Sequence, residues 1–191
     1  SDDKVIGQNA DGSPRYRSVS ILFTGIDAVN GSYIHINQDV LKQALSSFNV
    51  GKITTVSFVA DPSIKQASGT ITIESKNLVS IPEIPATGTG TVTDLGNYQV
   101  GPGTMDPNHV VTNAEQLNEN QFRFTYDLNL QSSAANKWGG MILSFGDSQP
   151  DLSGAGSELV FKVSGTGAIK VSVSDDKVIG QNADGSPRYR S

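Results

Sequence analysis

The chain has 191 residues, no cysteine and a net charge of −5 with a pI near 4.9; hydrophobic residues make up 36% and charged residues 17%. The acidic balance argues against nucleic acid and anionic membranes as partners, and the lack of thiols excludes disulfides, a thiolate nucleophile and cysteine-based metal sites. No apolar run approaches the roughly 20 residues of a membrane-spanning helix, so no membrane insertion is expected, and with no signal peptide a secreted form is expected to be the mature one.

Residues 1–18 read SDDKVIGQNADGSPRYRS, and the same letters recur without a change as residues 174–191. Chance does not produce an identity of that length, and drift blurs an old duplication. The chain therefore divides into an N-terminal extension (1–18), a body (19–173) of ordinary single-domain length, and a second copy of the extension (174–191). Within the extension the densest basic cluster, Arg15-Tyr16-Arg17, reads as a solvated edge.

The body opens with two short alternating stretches, 19–24 and 33–36, separated by the turn signal Asn30-Gly31-Ser32. Residues 39–48 (DVLKQALSSF) break the pattern: Val40, Leu41, Ala44, Leu45 and Phe48 follow helical spacing, with Asn37 or Asp39 as N-cap and Gly51 just past the end. Strands follow at 53–59 and 70–74. Residues 81–108 are rich in Pro, Gly and Thr, with a weak strand at 91–95 and a turn signal at Gly101-Pro102-Gly103; they read as a long loop. The strongest strand is 122–130, where Phe122, Phe124, Tyr126, Leu128 and Leu130 share one face. Residues 141–145, 159–163 and 168–173 complete the set. Strands this numerous with one helix predict an all-β fold, an antiparallel β-sandwich of Ig-like or jelly-roll-like type with one short α-helix.

Catalytic chemistry finds no foothold. His35 lies with Tyr33 and Asn37 on the polar side of its strand, and His109 follows the turn Asp106-Pro107-Asn108; neither has a local partner at metal-ligand spacing. Gly146-Asp147-Ser148 lacks the closing glycine of a nucleophile elbow, and no two of the carboxylates Glu83, Glu115, Glu119, Glu158 and Asp127 stand out as an acid–base pair. The expectation is a protein that is not an enzyme. Calcium is the one candidate cofactor: Asp2-Asp3, repeated as Asp175-Asp176, together with Asn9-x-Asp11 and Asp147-x-x-x-Asp151, are oxygen-rich in the way hard cations favour. Ordinary turn chemistry is the competing explanation. The single tryptophan, Trp138, followed by two glycines, is a candidate sugar platform, with Tyr126 and Tyr98 as further rings.

The duplicated ends carry the functional expectation. This organisation resembles that of structural subunits of bacterial fimbriae assembled by donor-strand exchange, in which an N-terminal extension of one subunit completes the sandwich of its neighbour. The resemblance implies a secreted, surface-exposed building block of a fimbria or pilus, serving adhesion or biofilm, whose partners are other copies of itself and host or surface glycans or proteins. It also implies that Val5, Ile6, Ala10 and Tyr16, with their duplicates Val178, Ile179, Ala183 and Tyr189, form the connector between subunits. Neither parity of the extension is uniformly apolar, Pro14 interrupts it, and Val173 runs into Ser174 without a spacer. A second reading therefore stays open, in which the body is one unit of a tandem array like those of long bacterial surface adhesins. A third is a carbohydrate-binding sandwich module.

Overall fold

A computed structural model of the chain describes residues 16–75, 92–93, 101–106, 108–118, 120–145, 147 and 149–178. These form eleven strands and one α-helix: β1 (Tyr16–Thr24), β2 (Ser32–Asn37), α1 (Gln38–Ala44), β3 (Ile53–Ala60), β4 (Ser68–Glu74), β5 (Val92–Thr93), β6 (Gly101–Met105), β7 (Val111–Asn118), β8 (Gln121–Asp127), β9 (Gly139–Ser144), β10 (Glu158–Ser164) and β11 (Ala168–Val178). One sheet has the order β1-β11-β3-β9-β6 and the other β2-β10-β4-β8-β7, with β5 pairing beside β10. Every ladder is antiparallel except that short β5–β10 contact. The molecule is an all-β sandwich, as the alternation requires.

The core lies between the sheets because each central strand turns one parity inward. Val56, Phe58 and Ala60 of β3 align with Val171 and Val173 of β11 and with Met141 and Leu143 of β9. Ile71 and Ile73 of β4 face Phe124 and Phe122 of β8, while Ile34 and Ile36 of β2 face Phe161 and Leu159 of β10. Phe58 and Phe161 meet across the gap edge to face, ring centroids 4.9 Å apart. Burying each such ring contributes roughly 2–3 kcal/mol. The outer parity carries polar pairs, for example Thr70 with Thr125, whose hydroxyls are 2.9 Å apart.

Four sequence expectations need correction. The strongest predicted strand ends at Asp127, not at residue 130. The Asp127 carboxylate accepts from the Asn129 N–H (2.9 Å) and caps a 3-10 turn, Leu128–Leu130, which buries Leu128 but leaves Leu130 55% exposed. The helix starts on Asn37, whose side chain accepts from the N–H groups of Asp39 and Val40, and it ends at Ala44 because Leu45 is extended. Phe48 still reaches the core, from the loop rather than from the helix. The supposed turn at 101–103 is part of strand β6, where Pro102 is tolerated because an edge strand pairs on one side only. Strand β7, unmarked by any apolar alternation, is the other sheet's edge on β8. The Asn30-Gly31-Ser32 turn is organised by Asp27, which accepts from the N–H groups of Val29 and Asn30, and these bonds hold its carboxyl below the ordinary value.

Candidate functional site

The repeat meets the body at β11. Residues 168–173 alternate as a core strand, whereas Ser174, Asp175, Asp176 and Lys177 carry no apolar face of their own. They remain in the strand because both neighbours outrun the body's last residue. β1 begins at Tyr16 and β3 begins at Ile53, so a slot lies between them that residues 174–178 fill. The ladders continue into the slot but shift register there. On β1, Ser18 faces Ser174 while Tyr16 faces Val178; on β3, Thr55 faces Ser174 while Ile53 faces Asp175. Such bulges re-aim side chains. Thr54, left between the pairs, donates its hydroxyl to the carbonyls of Ser174 and Asp175, each at 3.2 Å.

After Val171 and Val173 the next inward position is Asp175, whose side chain is wholly buried. A carboxylate without water is stable only when paired and fully hydrogen-bonded. Arg17 supplies the charge in a fork: Nε donates to Oδ2 at 3.0 Å, and Nη2 ion-pairs with the same oxygen. The Asn49 N–H adds a bond to Oδ2 (2.7 Å) and the Lys177 N–H one to Oδ1 (3.0 Å). The guanidinium is itself held in place. Its Nη2 donates to the Ser47 carbonyl (2.7 Å) and Nη1 to the Ser47 hydroxyl (3.2 Å), with the Phe48 ring 5.9 Å away. Asp176 is fixed more loosely, accepting from the Asn49 amide at 2.7 Å and lying 3.7 Å from Lys52 Nζ. The loop after α1 and the starts of β1 and β3 thus make a receptor for the dipeptide Asp-Asp. Chemically it is an anchor, in which a buried carboxylate is held by one guanidinium and by backbone N–H groups.

No family model, no curated protein and no solved structure matches this chain.

Of the sequence candidates, Tyr16 is 40% exposed at the start of β1, its backbone opposite Val178. Val5, Ile6, Ala10, Ile179, Ala183, Tyr189, Asp2, Asp3 and Tyr98 lie outside the described residues. Asp175 and Asp176 do come together, but their oxygens engage Arg17, Asn49 and Lys52; among the described residues no cluster of three or more metal-ligating side chains occurs. Asp147 is exposed, and Asp151 accepts from the Ser153 N–H at 2.8 Å; hydrogen bonds from Ser153 hold its carboxyl low. Tyr126 offers no ring to a sugar: it is 1% exposed, and burial pushes its phenol up to about 12. His35 pairs with Glu158 across the β2–β10 ladder at 3.2 Å, and His109 is exposed. Trp138 is partly buried beside an open depression.

Arg17, read from sequence as part of a solvated edge, is instead the centre of the anchor. What could have pointed to it is its membership of the duplicated segment: the same eighteen letters hold both the arginine and the aspartate of the pair. Ser47, Asn49 and Thr54 carried no such mark.

Proposed function

We propose that this chain is a non-enzymatic building block of a bacterial surface fibre, a fimbria-like polymer serving adhesion or biofilm, in which copies join head to tail through the repeated segment. One observation carries the reading: Asp175, from the second copy of the segment, is fully buried against Arg17, from the first copy. Residues 1–5 have the same sequence as residues 174–178, so the extension of a following subunit presents the same Asp-Asp to the same slot. Main-chain pairing between β1 and β3 is β-augmentation, with the buried ion pair setting register and specificity.

A tandem-array reading is favoured by a different feature. β11 passes from body to repeat as one strand, which is how covalently successive units would look. The two separate on one experiment. The chain cut to residues 1–173 keeps its own extension and loses the occupant of its slot. Size-exclusion chromatography is expected to give oligomers and polymers in which each extension fills a neighbour's slot. A sharp monomer peak that melts as high as the full chain contradicts the fimbrial reading and leaves the array.

A further inference from the structure

Independently of how copies join, we infer that the outer side of the β1-β11-β3 sheet carries a binding site for an acidic polysaccharide, of the uronic-acid type. An open depression of about 430 Å³ lies where β1, β3 and β11 meet the turn at Pro62 and the residues leading into β9. Trp138, Lys137, Ser20, Ser172, Asp61 and Lys170 are among the residues that line it. A second depression of about 220 Å³, with Lys65, Gln66 and Asn129 in its wall, adjoins the first; Pro62 and Lys137 line both.

The chemistry of the two is complementary to a charged sugar chain. Lys170 is already satisfied by Asp61 (2.7 Å); burial would raise that carboxyl, and the hydrogen bonds from Lys170 and Ser63 overcome this and hold it low. Lys137 and Lys65 differ: among the described residues neither belongs to an ion pair. Two ammonium groups outside any ion pair among the described residues thus line the second depression, and one of them, Lys137, also lines the first. On a protein of net charge −5 this is a local reversal of sign suited to a carboxylate. Around them stand neutral partners for hydroxyls, the Gln66 and Asn129 amides and the Ser20–Ser172 hydroxyl pair (2.7 Å). Trp138 supplies an aromatic surface for the apolar face of a pyranose ring. Its backbone is fixed, the N–H donating to the Asn136 carbonyl (3.0 Å) and the carbonyl accepting from the Asn108 amide (3.2 Å). Open, adjoining troughs suit an extended chain, whereas small ligands take enclosed pockets.

Titration calorimetry of the full chain with an oligogalacturonate, a neutral cello-oligosaccharide of equal length and a single-stranded oligonucleotide tests this. The acidic sugar is expected to bind, more weakly at high salt, and the other two to give no heat. Lys137→Glu should weaken binding roughly tenfold or more, Trp138→Phe less than Trp138→Ala, and Lys42→Glu, on the exposed side of α1, not at all. Unchanged melting temperatures for Lys137→Glu and Lys42→Glu establish that folding is intact. No binding of the acidic sugar, equal binding of the neutral one, preferential binding of the oligonucleotide, or indifference to Lys137→Glu each overturns the assignment.

Discussion

Replacing Arg17 by alanine is expected to destabilise the full chain by about 3–5 kcal/mol, because it strands a buried carboxylate without its counter-charge. At this chain length that corresponds to a fall in Tm on the order of 10 °C. The cost follows from the environment of Asp175: no solvent reaches it, and its remaining partners are the neutral N–H groups of Asn49 and Lys177. Lysine at position 17 should recover only part of the loss, since an ammonium cannot reproduce the fork that grips both Asp175 and Ser47. Adding Asp175→Asn to Arg17→Ala should return much of the stability, because the residue left behind is then neutral. Chemical denaturation of the unaltered chain, Arg17→Ala, Asp175→Asn and the double variant as a double-mutant cycle checks this. Additive effects of the two substitutions would mean that the pair is not coupled and the anchor is misassigned.

An effect of similar size is expected from Gly165→Ala. The turn from β10 to β11 crosses from one sheet to the other, and Gly165 holds φ +89° with its N–H donating to the Ala28 carbonyl at 2.8 Å. A Cβ there would sit 2.0 Å from the Thr70 carbonyl oxygen. Left-handed strain and a backbone clash together should cost on the order of 3 kcal/mol or more. Gly167→Ala, two residues on with open space around its Cβ position, serves as the control and should be close to neutral in the same thermal melts. Gly165 matters to the Arg17–Asp175 contact because it precedes the start of β11 and so sets which residues of the repeat arrive at the slot.

The fold was legible where side chains alternate between core and water. Val171 and Val173, or Phe122 and Phe124, declare their strands because one sheet face is buried and the other is not. Legibility failed at two of the four sheet edges, β6 and β7. β6 and β7 are strands because β9 and β8 offer them a ladder, not because their own residues prefer it. Beyond Asp127 the alternation of Leu128 and Leu130 persisted in the letters, but a side-chain cap had already turned the chain. The candidate site was half legible. Duplication set residues 174–178 apart as the start of the second copy, yet Ser-Asp-Asp-Lys has no strand pattern and gains its conformation from β1 and β3. The pairing of Arg17 with Asp175 joins positions 158 residues apart, and no local rule connects them.

If one subunit's extension anchors in the slot of the next, then Asp2 is the residue that takes the place of Asp175 between neighbours. The direct measurement is electron microscopy of the 1–173 chain with and without Asp2→Ala. The account predicts fibres or chains of subunits from the unaltered protein and isolated particles from Asp2→Ala. Assemblies that form equally well without that carboxylate would contradict it.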